Sequence, residues 1–279
     1  MLEAIFLGIV QGLTEFLPIS SSAHIRILGE LLPSAQDPGA TFTAIMQIGT
    51  EIAVLLYFRT MIIGIIKSAI SFVARDKSML SPGQKEEANL ATMIVVGSIP
   101  IFILGFLAQD YIRNNFRSLW LIAITLIVFG LLLGFLDHIG KREKGLNDLN
   151  ASDGILYGLA QSLALIPGVS RSGATIAMGR LLKYRREDAL RYSFLLAIPA
   201  VLGSGLYELL QALNGGENVF SMSEICVATA VAFVVGYAVI AWLMKFVQTR
   251  SFMPFVIYRV SLGVLVLILL ATGTISAYL

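Results

Sequence analysis

Two short stretches carry nearly all the residues that could do chemistry. In Gln11-Gly-Leu-Thr-Glu15-Phe-Leu-Pro-Ile-Ser20-Ser21-Ser22-Ala-His24, the amide and the carboxylate stand four apart. On a helix they share one face and point along it toward the serines beyond Pro18. His24 follows Ser21 by three residues. If a helix begins at the serines, the imidazole lies one turn from Ser21, within reach of a hydroxyl or of its ligand, a set suited to acid or base work. The second stretch, Pro167-Gly-Val-Ser170-Arg171-Ser172-Gly-Ala-Thr175, supplies a guanidinium, three hydroxyls and two glycines. At a helix N-terminus, where free N–H groups favour anions, this set suits phosphate.

Each residue also has a plain structural reading. Ser20, Ser22, Ser170 and Ser172 can be helix caps. Glu15 and Arg171 can form a structural ion pair, and His24 can be a satisfied histidine at an interface. Gln161, which matches Gln11 in position, reads as an amide that bonds backbone freed by a turn. Glu51 either faces a cavity, binds a cation or bonds helix to helix. Arg259 reads as a residue reaching to the cytoplasmic interface, without a role in the chemistry. Cys226, the lone cysteine, reads as packing and offers neither a disulfide nor a cysteine metal site.

The elements that hold these stretches are apolar. Hydrophobic residues make up 57% of 279 positions and charged ones 14%, too few charges to cover a soluble globule. The N-terminus lacks a basic region, so its apolar run reads as part of the mature fold and not as a cleaved signal. Windows at 41–58, 91–109, 119–138, 190–211, 225–247 and 255–279 are long and apolar enough to be helical spans. Residues 1–32 and 153–183 are apolar too, but Pro18 to Ser22 and Pro167 to Gly173 cut each near its middle. Their arms are too short to cross, which predicts two re-entrant hairpins. Irregular backbone at membrane depth is tolerated only around an enclosed or wet cavity, so the two tips should meet in a site. There an unpaired Arg171 costs about 3 kcal/mol, and Glu15 or a bound phosphate would be its partner.

The interrupted regions repeat at an offset near 150: Gly8, Gln11 and Leu13 align with Gly158, Gln161 and Leu163, and Ser20 to Ser22 with Ser170 to Ser172. An odd number of spans separates the hairpins, so they enter from opposite faces and the repeat is inverted. The expected architecture is an all-α polytopic membrane protein with six spans and two re-entrant hairpins. It forms a single membrane domain over 1–279, with repeats of about 1–140 and 151–279. Lys and Arg gather on one side of the spans, as at Arg59, Lys67, Lys141, Arg142, Arg185 and Arg186, against Arg113 and Arg117 on the other. By the positive-inside bias the first side is cytoplasmic, with both termini and the first hairpin's mouth outside. Lys67 to Glu87 reads as an exposed cytoplasmic connection with an interfacial helix over 61–73.

The segment from Gln11 to His24 resembles the first signature of the bacterial undecaprenyl-pyrophosphate phosphatases, the bacitracin-resistance family, and Pro167 to Thr175 resembles its second. The resemblance extends to Tyr192-Ser-Phe-Leu-Leu-Ala-Ile-Pro199 and Phe252-Met-Pro-Phe-Val-Ile-Tyr-Arg259, and so covers nearly the whole chain. The first signature accepts Glu or Gln at its opening position. Gln11 stands there, which weakens any mechanism needing two carboxylates. The resemblance implies hydrolysis of undecaprenyl pyrophosphate to the monophosphate and inorganic phosphate at the bacterial plasma membrane. Such a reaction recycles the lipid carrier of cell-wall synthesis and confers bacitracin resistance, with Mg²⁺ or Ca²⁺ as cofactor.

Within that reading Ser21 attacks the terminal phosphorus, Glu15 orients it or binds the metal, and His24 is the acid or base. A water activated by Glu15 and the metal is the alternative nucleophile. Arg171 neutralises charge, and Gln11 is a neutral metal ligand or a hydrogen-bond donor. Ser20, Ser22, Ser170, Ser172 and Thr175 hold phosphate oxygens. The partners are a polyprenyl pyrophosphate and membrane lipids, with no nucleic acid; a homo-oligomer is left open. The rival function is a polyprenyl-phosphate flippase, because inverted repeats with broken helices also build transporters. The crowding of Glu, Ser, His and Arg favours the enzyme.

Overall fold

The computed structural model describes residues 1–32, 39–74, 80–116, 118–214 and 219–277. Among them the regular structure is eleven α-helices and two short 3-10 turns, with no strand. Five helices are long and apolar enough to cross a bilayer: α5 (Pro82–Asn115), α6 (Leu119–Ile139), α9 (Arg186–Leu213), α10 (Met222–Thr249) and α11 (Met253–Ala271). The window expected over 41–58 is α3 (Gly39–Tyr57). It passes the same test only together with α4 (Arg59–Ala74), which leaves it through a bend of 80°. At that bend Arg59 donates to Leu56 O at 3.1 Å, satisfying a carbonyl that the end of α3 leaves free.

α4 is the helix expected over 61–73. The rest of the polar connection is not simply exposed, because α5 begins at Pro82 and Ser68 donates to Glu87 at 2.6 Å, fastening α4 to α5. Positions 75–79 of that connection, which include Arg75 and Lys77, fall outside the described residues, as does Arg117.

Both interrupted regions are helical hairpins. The first is α1 (Leu2–Thr14) with α2 (Ser21–Leu31), the second α7 (Ala151–Ser162) with α8 (Arg171–Leu181). At 1.5 Å per residue these 11 to 13 residues span only about 16 to 20 Å, short of a hydrocarbon core of about 30 Å.

The halves of the chain interlock. α1 packs along α10, α7 along α5, α3 along α9 and α6 along α11, so each hairpin's first arm lies against a span of the other half. Glycines allow the approach. A Cβ at Gly8 would stand 2.6 Å from Ala228 O, and one at Gly158 would stand 2.3 Å from Gly97 O. Those two glycines are equivalent in the repeat. Cys226 is exposed on α10, so it is not the packing residue it was expected to be. With no disulfide partner it stands among the side chains that α10 turns outward.

At the end of the molecule rich in Lys and Arg, Asp137 closes α6 onto three other elements. Its Oδ1 accepts from Arg180 Nε at 3.0 Å and Arg186 Nε at 2.7 Å, and its Oδ2 accepts from Arg186 Nη2 at 2.9 Å and Phe252 N at 3.2 Å. A 5%-exposed carboxylate holding two guanidiniums gives that end a fixed register against which the hairpins are set.

Candidate active site

The two hairpin tips are built alike. Ser20 (φ 73°, ψ 94°) caps α2, and its Oγ accepts from Ala23 N at 3.4 Å. Ser170 (φ 71°, ψ 115°) caps α8, and its Oγ accepts from Gly173 N at 3.1 Å. In both tips the capping hydroxyl lies 3.2 Å from that of the serine two residues on, Ser22 and Ser172. A positive φ at a residue with a Cβ costs of order 1–3 kcal/mol and persists only where the surroundings over-determine it. Here it turns the chain sharply enough to aim both helix N-termini into one cavity. Ser20 and Ser170 therefore both cap a helix and line the cavity, whereas Ser22 lines it without being a cap.

Glu15 is the centre of the site. It is buried, and its Oε1 accepts from Arg171 Nη2 at 2.7 Å across the two hairpins. Its Oε2 accepts from Gln11 Nε2 at 2.7 Å, from Ser21 Oγ at 2.6 Å and from Gln47 Nε2 at 3.5 Å. Gln11 and Glu15 thus share the helix face that their spacing predicted. The second tip is also tied to the first directly, by Ser172 Oγ donating to Leu17 O at 3.1 Å.

These groups open onto a cavity of about 580 Å³. One end is lined by Glu15, Ser20, Ser21, Ser22, Ser170 and Arg171. The rest of the lining is mostly apolar, with Phe102 and Phe106 from α5, Leu165 beside the second tip and Val201 from α9, but it also includes Gln47, Ser204, Tyr207 and Glu208. Two helix N-termini, a guanidinium and hydroxyls at one end of an apolar trough suit an anion carrying a long hydrocarbon.

Other expected site residues lie elsewhere. Thr175 is buried, donates to Arg171 O at 2.8 Å and touches the Ser193 hydroxyl; neither it nor Ser172 lines the cavity. The helix does begin at the serines, yet the His24 imidazole meets neither Ser21 nor Glu15. Its Nδ1 bonds Ser20 O at 2.7 Å and its Nε2 bonds Tyr258 Oη at 2.7 Å, with the rings stacked. Since Ser20 O can only accept, Nδ1 carries a proton, and in the neutral ring Nε2 accepts from the phenol. Gln161 bonds no freed backbone: it is fully buried, and neither side-chain polar atom has a partner.

Arg259 overturns its expected placement at the interface. It is 0% exposed and donates to Leu126 O (3.0 Å), Pro18 O (3.1 Å), Gly168 O (2.9 Å) and Val169 O (3.0 Å). One guanidinium therefore clamps both hairpin tips to α6, satisfying carbonyls that the broken helices leave free. Glu51 lies outside the cavity wall, and its Oε2 stands 4.0 Å from Arg171 Nη1, a contact between α3 and the start of α8. A signal for Gln47 and Glu51 was present: they repeat, on α3, the four-residue Gln–Glu spacing of Gln11 and Glu15.

For a divalent cation the donor set is small. Among the described residues there is no cluster of three or more His, Cys, Asp or Glu. Gln11 Oε1 is buried without a partner, next to the Glu15 carboxylate. A hard cation held by few carboxylates and completed by phosphates and water would find the Glu15 carboxylate and the Gln11 carbonyl oxygen as candidate ligands.

The chain matches known proteins along nearly its whole length. The family model described as bacitracin resistance protein BacA matches residues 4–265. A Micrococcus luteus protein named undecaprenyl-diphosphatase is 57% identical over 99% of both chains. The protein of that name from Pseudarthrobacter chlorophenolicus is 53% identical over 99% of both chains. An Agrobacterium fabrum protein named undecaprenyl-diphosphatase 2 is 54% identical over 99% of this chain and 98% of its own. With the family model covering most of its length, the chain belongs to the bacitracin resistance protein family.

Proposed function

We propose that this protein hydrolyses undecaprenyl pyrophosphate to undecaprenyl phosphate and inorganic phosphate, with the terminal phosphate seated between the hairpin tips. One observation carries the chemistry: Ser21 donates to Glu15 Oε2 at 2.6 Å while Glu15 Oε1 holds Arg171, all three on one cavity wall. The names of the relatives and the family supply the substrate.

Arg171 and the two helix N-termini bind the phosphate and neutralise the charge that builds on it. Ser21 Oγ attacks the terminal phosphorus as its proton passes to Glu15. The O–P bond forms, the bridging P–O bond breaks, and the electron pair leaves on undecaprenyl phosphate. Water then attacks the phosphoserine, Glu15 returns its proton to Ser21 Oγ and takes one from the water, and hydrogen phosphate departs as Glu15 gives that proton to solvent. In the alternative, Glu15 takes the proton of a water that attacks directly. A divalent cation, if held by Glu15 and Gln11, would supply further charge neutralisation at the phosphates. His24 joins either route as acid or base only after releasing Tyr258. The isoprenoid tail follows the apolar wall past Phe102 and Phe106, between α5 and α9.

The two halves act as one membrane unit, a reading supported by the packing of each hairpin against spans of the other half. The site faces the outer leaflet and the termini lie outside. Arg186, in the basic cluster, and Ala200, at the cavity, are 14 residues apart on α9, about 21 Å along a helix. The cavity therefore lies away from the end that the charge bias assigns to the cytoplasm. The deciding experiment is release of inorganic phosphate from a polyprenyl pyrophosphate by purified protein in detergent. A pure flippase would release none.

A further inference from the structure

Glu51 stands outside the cavity wall, yet it touches the site's one guanidinium. It is 1% exposed on α3, with Oε2 at 4.0 Å from Arg171 Nη1. Its Oε1 has no hydrogen-bond partner, and neither has Arg171 Nη1. The backbone beneath it is fixed, because α3 presses on α10 at Gly49, where a Cβ would stand 2.2 Å from Thr229 O. One turn earlier the same helix sends Gln47 to the cavity side of Glu15. The contact of Glu51 with another helix is the ion pair to Arg171 at the start of α8, made by Oε2. An intramembrane carboxylate is costly, and this one is set against Arg171, with the Glu15 carboxylate also near it.

Arg171 therefore lies between two carboxylates, one bonded at 2.7 Å and one at 4.0 Å with bonding capacity unused on both sides. A phosphate entering the cavity competes with Glu15 for the guanidinium, since bidentate pairing with phosphate is among the strongest bonds arginine makes. Once Glu15 lets go, the long side chain has lost its close anchor and could follow the anion. We infer that Glu51 is a positioning residue: it is the second anchor that keeps Arg171 aimed at the transferring phosphate after Glu15 is displaced. The inference rests on the phosphatase reading and on Arg171 as a phosphate ligand. It also carries a signature, because the Glu51 carboxylate, when it pairs with Arg171, improves orientation while its charge opposes the phosphate itself. Removing that charge should slow turnover and tighten phosphate binding together.

The test compares wild type, Glu51→Gln and Glu51→Leu in detergent at one fixed Mg²⁺ concentration, measuring kcat and KM for a polyprenyl pyrophosphate and the Ki of inorganic phosphate. The expected result is a kcat lower by about tenfold, an equal or lower KM, and a phosphate Ki lower by at least about threefold. A damaged fold would lower kcat but would not tighten inhibition by phosphate. The Leu variant guards against misfolding of the Gln variant, since an apolar side chain of similar size is tolerated there while Arg171 keeps Glu15. An unchanged kcat, or an unchanged or raised phosphate Ki, overturns the inference. Arg171→Ala and Glu15→Ala run beside them. If those two retain turnover, the site reading itself has failed; if they abolish it while the Glu51 variants behave as wild type, only the role of Glu51 falls.

Discussion

Arg171 donates to Glu15 at 2.7 Å although 156 positions separate them, and this bond joins the two hairpin tips at the cavity wall. Losing either partner removes a ligand or base and leaves the other's charge buried. Glu15→Ala and Arg171→Ala are expected to lower phosphate release from a polyprenyl pyrophosphate by at least about 10²-fold. Arg171→Lys should recover little, because a point charge cannot replace the planar fork. Turnover within tenfold of wild type in folded Ala variants would discard this assignment of the site.

Ser21→Ala separates the two nucleophiles. If the serine attacks, turnover falls by about 10³-fold or more and a phosphoenzyme no longer forms. Near-normal turnover with an unchanged dependence on added Mg²⁺ or Ca²⁺ would instead make water the nucleophile.

His24 is fastened to Tyr258 and to the backbone of Ser20. Tyr258→Phe should therefore cost about 1 kcal/mol of stability and free Nε2, leaving phosphate release within a few-fold of wild type. Loss of turnover comparable to that of Glu15→Ala would show that the phenol–imidazole pair belongs to the chemistry.

Arg259 holds four carbonyls from three elements with one side chain. Arg259→Met is expected to lower the melting temperature in detergent by an amount equivalent to about 3 kcal/mol or more, through unsatisfied buried carbonyls. Turnover should fall with it, since both tips lose their clamp. Full stability in this variant would contradict the clamp.

Gly8→Ala and Gly158→Ala place a methyl against backbone oxygen at equivalent contacts between the halves. Each should destabilise by about 1–3 kcal/mol, read as a lower melting temperature. Gly39→Ala and Gly83→Ala make no such contact, but Gly39 has a positive φ, so Gly83→Ala is the proper control.

The sequence determined the solvent, the element type and the broken hairpins, because these depend on local properties: apolar run length, the absence of charge, and Pro, Gly and Ser interruptions. It also gave both capped tips through the matched serines, and the Gln11–Glu15 pairing through helical spacing, since both are set within a few residues. What it could not give was direction over long separations. His24 and Ser21 share a helix face, but the imidazole turns to Tyr258, 234 positions away, because that phenol and the Ser20 carbonyl satisfy both ring nitrogens at once. Arg259 sits near the start of the last span, which suggested an interface, and only the arrival of two hairpin tips and α6 beside α11 supplies the four carbonyls that make its burial possible. Glu51 and Arg171 meet for the same reason. A charge in an apolar helix announces that it must have a partner, and tertiary packing alone decides which partner it finds.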